Sequence, residues 1–347
     1  MRGLAARGHQ CLLLAPAGPL LEQARGPGVE VERWSPLGEW DVAALLRAAA
    51  ALRRFGPEVA HCHSAHAHAL GVPAARLARV PVTVVSRRVD FAVAGNPLSR
   101  LKYRLPVDRY LCVSRGVMEV MRQAMIPSSR LALVPDGVEL PPAGVVPARA
   151  PAADLCALIG VPSGTPVVGT VAALAPHKDH ATLLRAAARV VARRPDVHFA
   201  WVGEGECRAA LERQRAGLGL EAHVHLVGFR TDALGLLAQF TVFALSSYLE
   251  GLCTSLLEAQ SLGVPIVATA VGGVPDVVED GVTGRLVPGR APEALARALL
   301  DALDRPDECR QWARRARDSV RRFGVDQMVE RTLEEYGLAL RQRGAGG

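Results

Sequence analysis

Short Val/Leu/Ala-rich runs of strand length alternate with Ala/Leu/Arg stretches of helical spacing along the chain, and this repeat limits the fold more than any other feature. The pattern predicts strands at 11–14, 58–61, 82–85, 109–113 and 132–134, then at 167–171, 198–202, 223–227, 242–245, 265–268 and 284–287. It predicts helices over 181–194, 206–216, 255–261 and 292–303. Strands apolar without interruption and separated by helices call for parallel sheets covered on both faces. The alternation breaks once, at PPAGVVPARAPAAD between Leu140 and Leu155, a composition that reads as extended linker. The expected fold is α/β, with two doubly wound, Rossmann-like domains at 1–140 and 157–325 joined by a linker at 141–156. Ligands of such sheets bind beyond the carboxyl ends of the strands, so the expected site is a cleft between the domains.

Composition removes other classes. Half of the 347 residues are hydrophobic and 22% are charged, too apolar for a disordered chain. No apolar run approaches the ~20 residues a spanning helix needs, and the first residues make a poor signal peptide. The seven cysteines are scattered with no C-x-x-C, which argues against a disulfide framework or zinc finger and for a reduced, cytoplasmic setting. A net charge of +7 rests almost wholly on arginine, with Lys102 and Lys178 the only lysines. Aromatics for base stacking are few, so no nucleic-acid partner is expected. A pull toward anionic lipid remains open.

The chemistry concentrates in SSYLEGLCTSLLEAQSLGVPIVATAVGGVPDVVEDGVTGRLVPG, residues 246–289. Glu250 sits in a loop after a strand, and Glu258 lies eight residues on, inside the helix that begins near Thr254. Unpaired N–H groups and the macrodipole at that helix start suit a diphosphate. A carboxylate one turn further in can accept two hydrogen bonds from a ribose diol, which leaves Glu250 to hold sugar hydroxyls. Taken singly, both glutamates and Lys178 would read as solvated surface charges. The histidines 61, 63, 66 and 68 invite a zinc reading, but no acidic partner lies close in sequence and no metal is expected.

The Glu250/Glu258 pair, with EGL at its start and EAQSLGVPIVAT at its end, resembles the E-x7-E signature of retaining GT-B glycosyltransferases of family 4. The resemblance extends through VGTVAALAPHKDHATLLRAA (168–187), FAWVGEGE (199–206), HLVGFRTDALGLLAQF (225–240) and AVGGVPDVVEDGVTGRLVPG (270–289). It is looser in HCHSAHAHALG (61–71), YLCVSRGV (110–117) and LVPDGVEL (133–140). It implies an acceptor-side first domain, a donor-binding second domain, and a helix at 326–347 returning toward the first. It implies that Lys178 contacts the donor diphosphate and Glu250 the donor sugar. By the same resemblance Leu252, Cys253 and Thr254 supply backbone amides, Gly251 belongs to the donor-binding set, and Glu258 binds the ribose. Gly203 and Gly205 match a loop running past the nucleotide, and Arg230 with Thr231 lies by the base. The implied reaction moves a hexose from a nucleotide-diphosphate sugar to a glycan or lipid-linked acceptor in cell-envelope polysaccharide synthesis. It proceeds with retention, and the leaving phosphate helps deprotonate the acceptor. No D-x-D occurs, so no metal or other cofactor is expected.

Departures leave alternatives open. Ala173 stands where family members carry an arginine, and the opening LAARGHQCLLLAP matches the end of a first helix and a second strand. The expectation is a first domain lacking its first strand and glycine-rich loop. On the acceptor side His63, Arg87 and Arg88 are candidates, with Arg100, Lys102, Arg104 and Arg109 as a cationic cluster suited to an anionic lipid at the inner face of the plasma membrane. A catalytically weak nucleotide-sugar-binding protein and a nucleotide-sugar epimerase of the same fold are the competing readings.

Overall fold

The computed structural model describes residues 1–91, 93, 102–140 and 153–344. The chain divides into two compact units, Met1–Gly137 with Val325–Gly347, and Val138–Gly324. Residues 141–152 of the expected linker, and Arg100, lie outside the described residues. Residues 153–156 are not linker: Asp154 caps a short helix, Leu155–Ile159, by accepting from the Cys156 N–H at 3.0 Å.

In the first unit, β1 (Cys11–Ala15) pairs in parallel with β2 (Val29–Arg33). A separate parallel sheet runs β3 (Val59–Cys62), β4 (Val82–Arg87), β5 (Arg109–Cys112) and β6 (Leu131–Leu133) in spatial order. The sequence pattern misses β2. Its VEVER alternates apolar and charged residues because one face of this strand meets solvent, and a search for unbroken apolar runs passes over it. The terminal helix Val325–Gly344 belongs to this unit. Its Ala339, Met328, Tyr336 and Leu340 pack on Val82, Val84, Leu111 and Ala132. Ion pairs Arg109–Glu335 (3.2 Å) and Arg343–Asp108 (2.7 Å) fix its position.

The second unit is one parallel sheet of β7 (Val167–Val171), β8 (His198–Val202), β9 (Val224–Gly228), β10 (Val242–Leu245), β11 (Ile266–Thr269) and β12 (Arg285–Val287). Its spatial order is β12-β11-β10-β7-β8-β9. The chain leaves β7 toward one edge and returns at β10 toward the other, so β7 and β10 flank the topological switch point. Trp201, Phe199 and Phe243 are fully buried. Helices His180–Val191 and Pro292–Asp304 bury Leu183, Leu184, Val190, Leu295 and Leu299 against the sheet.

Each unit also buries an imidazole. His68 lies edge-on to Tyr103 and Tyr110, with centroids 5.0 and 5.8 Å away. His180 lies against Trp201 at 5.1 Å. Burial, seconded by Lys102 and Arg87 for His68 and by Lys178 and His177 for His180, lowers both to about 4. A histidine whose folded value lies below its unfolded value near 6.5 contributes full stability above 6.5. It loses that contribution as pH falls from 6.5 toward 4, because the unfolded chain takes up the proton first. The loss is about 2 kcal/mol per imidazole at pH 5. Thermal midpoints are expected to drop clearly between pH 7.5 and pH 5. A midpoint level over that range would show that both rings charge without penalty.

Candidate functional site

The carboxyl ends of the two strands at the switch point carry the candidate donor residues. Beyond β7 the chain makes a tight turn at Pro176–Lys178, and Asp179 then caps the next helix, accepting from Thr182 N at 3.2 Å and from Thr182 Oγ1 at 2.7 Å. Two bonds tie this turn to the segment after β10: Ser246 Oγ donates to Lys178 O, and Tyr248 N donates to His177 O, both at 2.9 Å. That lock sets Lys178 Nζ 2.6 Å from Glu250 Oε1, which also accepts from Ser247 Oγ at 2.7 Å. Glu250 is 6% exposed. Thr269 Oγ1, at the end of β11, donates to Ser247 O at 2.6 Å and holds the segment from the other side. Sequence reasoning left Glu250 open for sugar hydroxyls; the structure pairs it with Lys178. It also missed Ser246, Ser247 and Thr269, whose signal is hydroxyl residues at or just after the carboxyl ends of buried strands.

Next to this pair begins the helix Thr254–Leu262. Its N-cap is Cys253, which provides no side-chain cap, so the first amides are not satisfied by a capping group. Gly251, Leu252 and Cys253 are buried and Thr254 is exposed. Burial, then the nearby Glu250 carboxylate, pushes the Cys253 thiol up to about 11, so it is no thiolate nucleophile. Glu258 is half-buried and has no hydrogen-bond or ion-pair partner for its carboxylate among the described residues. Burial raises it above the ordinary glutamate value. An unpartnered, partly desolvated carboxylate beside an uncapped helix start is what a polar ligand would satisfy.

Gly203 and Gly205 run against the loop that follows β7. A Cβ on Gly203 would lie 1.9 Å from Ala172 O, and one on Gly205 2.5 Å from Leu174 O. Arg230 forms a two-pronged pair with Asp232, both bonds 2.8 Å, and Thr231 is exposed.

In the first unit, His63 and Arg88 follow the carboxyl ends of β3 and β4. His63 lies against His61, ring centroids 3.9 Å apart and planes tilted by 32°. His61 is held through both ring nitrogens, Nδ1 to Tyr336 Oη at 2.6 Å and Nε2 to Ser86 Oγ at 2.8 Å. His63 is exposed at its surface, and crowding by the surrounding chain, then Arg88, lowers it to about 4. Arg88 pairs with Asp136 at 3.1 Å. Arg87 is engaged inside the unit, donating to Tyr103 Oη at 3.0 Å and Phe91 O at 2.5 Å. The expected cationic cluster is divided by ion pairs: Lys102 binds Glu39 at 2.9 Å and buried Arg109 binds Glu335. Among the described residues no three His, Cys, Asp or Glu are grouped to hold a metal ion. No described helix is long and apolar enough to cross a membrane.

Comparison with known proteins places the chain among glycosyltransferases. Residues 158–319 match the family described as Glycosyl transferases group 1, and residues 1–140 match Glycosyltransferase Family 4. The chain is 31% identical over 329 residues to 2-deoxystreptamine N-acetyl-D-glucosaminyltransferase of Streptomyces fradiae, covering 88% of this chain and 77% of that protein. It is 32% identical over 246 residues to D-inositol 3-phosphate glycosyltransferase of Streptomyces coelicolor, covering 64% of this chain and 53% of the relative. Among solved structures, Anabaena Alr3699/HepE in complex with UDP and glucose superposes with TM-score 0.77 at 21% identity, over 94% of this chain and all of that one. A glycosyltransferase from Rickettsia africae superposes with TM-score 0.83 at 18% identity, over 98% of this chain and 94% of the other.

Proposed function

The chain belongs to the family 4 glycosyltransferases of GT-B fold, and from that premise we propose that it moves a hexose from a nucleotide-diphosphate sugar to a hydroxylated acceptor, with retention and without a divalent metal. The observation that carries this reading is the Lys178–Glu250–Ser247 constellation at the switch point of the second unit, beside an uncapped helix start. In the proposed step the bond between the anomeric carbon and the phosphate oxygen breaks while the acceptor oxygen bonds that carbon on the same face. The acceptor proton passes to the departing phosphate. Lys178 and the helix-start amides stabilise the charge developing on the nucleotide diphosphate, Glu250 holds the sugar, and Glu258 accepts from the ribose hydroxyls. Gly203 and Gly205 let the chain pass close to the nucleotide, with Arg230 and Thr231 by the base.

For the acceptor, the two Streptomyces relatives are named for cyclitols, 2-deoxystreptamine and inositol 3-phosphate. His63, exposed beside the tilted ring of His61, and Arg88 with Asp136 are a polar set suited to such a ring. Within the expected basic cluster Lys102 and Arg109 are taken by ion pairs while Arg104 stays exposed, which weakens the case for an anionic lipid acceptor. The deciding experiment measures nucleotide release from UDP-, GDP- and ADP-sugars, with cyclitols and, separately, anionic vesicles as acceptors. Release with one donor, dependent on a cyclitol, supports the reading. Donor binding with no transfer to any acceptor would favour the non-catalytic alternative that Ala173 suggests.

Glu258→Ala is expected to weaken binding of the preferred nucleoside diphosphate by at least tenfold while leaving the Lys178–Glu250 pair, and so the fold, intact. Two ribose hydrogen bonds to a charged group are worth about 1.5–3 kcal/mol each. Calorimetric titration checks this; equal affinity in the variant would remove Glu258 from the site.

A further inference from the structure

Among the described residues, four other than glycine have positive φ: Arg79, Met125, Asp179 and Arg290. Three have a local reason. Arg79 and Met125 follow the last turns of the helices Val72–Leu77 and Arg115–Gln123, where left-handed residues close a helix, and Asp179 caps a helix start. Arg290, at φ +58, closes no helix and lies in the turn at 289–290 that follows β12. It precedes the helix Pro292–Asp304, whose N-cap is Ala291. A long side chain there is costly where glycine or asparagine would be tolerated, and such strain concentrates at functional sites.

The left-handed turn directs the Arg290 side chain onto Tyr248, with the guanidinium carbon 4.3 Å from the ring centroid. Tyr248 is the residue whose N–H binds His177 O beside Lys178, and it stands two positions before Glu250. Gly289 lies against Ser247 O and Val271. The arginine therefore stands at the same carboxyl edge as the donor constellation, beyond β12 as Lys178 is beyond β7. It is exposed and has no carboxylate partner among the described residues. The donor edge itself is short of positive charge. Its cation, Lys178, already faces Glu250 at 2.6 Å, and Glu258 adds a second carboxylate. A diphosphate brought there meets a lysine already paired with one carboxylate and a second carboxylate nearby, and Ala173 supplies no charge.

We infer that Arg290 is the second cation of the donor site: stacked on Tyr248 in waiting, it binds the diphosphate of the incoming nucleotide sugar. This inference rests on the donor-site reading above. Its test titrates the full chain with UDP, GDP and ADP, and with the matching nucleosides. The variants are Arg290→Ala, Arg290→Lys and Arg290→Asn, each with a thermal melt. The expected result is a loss of at least tenfold in affinity for the preferred nucleoside diphosphate in Arg290→Ala, with less than a threefold change for the nucleoside. Arg290→Lys regains part of the affinity. Arg290→Asn, which accepts the left-handed conformation, melts higher than wild type yet binds as weakly as Arg290→Ala. Diphosphate affinity within twofold of wild type in Arg290→Ala overturns the inference. Wild-type chain that binds none of the three diphosphates overturns the donor-site reading itself.

Discussion

Lys178→Ala is expected to reduce glycosyl transfer by about 10²–10³-fold, the usual result of removing one preorganised group that stabilises developing charge, and to destabilise the second unit as well. The second effect follows from burial. Glu250 is 6% exposed, and its Oε1 receives Lys178 at 2.6 Å and Ser247 Oγ at 2.7 Å. Without the ammonium, a desolvated carboxylate loses the charged partner at 2.6 Å, and breaking such a pair costs about 3–5 kcal/mol. Lys178 keeps 17% of its side chain exposed, which places the expected loss toward the lower end. The double variant Lys178→Met/Glu250→Gln separates the two roles. It removes both charges, and urea unfolding is expected to show most of the stability restored while transfer stays abolished. A double variant as unstable as Lys178→Ala would mean that the pair is not the source of the stability loss. Transfer near wild-type rate in Lys178→Ala would remove the lysine from the chemistry.

Gly203→Ala is expected to be the most damaging single-methyl change in the second unit. At φ +150 the new Cβ would stand 1.9 Å from Ala172 O and 2.8 Å from its carbonyl carbon. Both obstacles are backbone, held in place by the bond from Ala172 N to Val202 O at 3.1 Å. Neither can rotate away, so the ends of β7 and β8 must separate. The cost is roughly 3 kcal/mol or more, combining overpacking with backbone strain. Gly281→Ala is the control: φ is +73 but no atom lies within 4 Å of the added Cβ, so about 1 kcal/mol is expected. Urea unfolding of the two variants checks the difference. Equal midpoints would show that the Gly203 loop yields easily, and would undercut its description as a rigid wall of the site.

Much of the architecture was readable because burial writes itself into local pattern. A strand covered on both faces must be apolar throughout, and β7, β8 and β10 fall at 167–171, 198–202 and 242–245, as the pattern predicts. Where one face is wet the pattern fades, and β2 went unread. The candidate donor residues were likewise visible in order and spacing. Their partners were not: Lys178 meets Glu250 across 72 residues, and His61 meets Tyr336 across 275.

By itself the sequence determined that the chain builds parallel α/β sheets and that it carries the family's donor-side motif. Only the tertiary structure decided how charges are distributed. Strand order put β7 beside β10 and so turned Lys178 and Glu250 into a pair. Packing of Tyr103 engaged Arg87, the terminal helix took Arg109, and β12 brought Arg290 over Tyr248. The physical reason is range. Secondary structure follows from contacts within a few residues, whereas an ion pair depends on which distant segments the sheet makes neighbours, and a charged residue looks the same in sequence whether paired or waiting for a ligand.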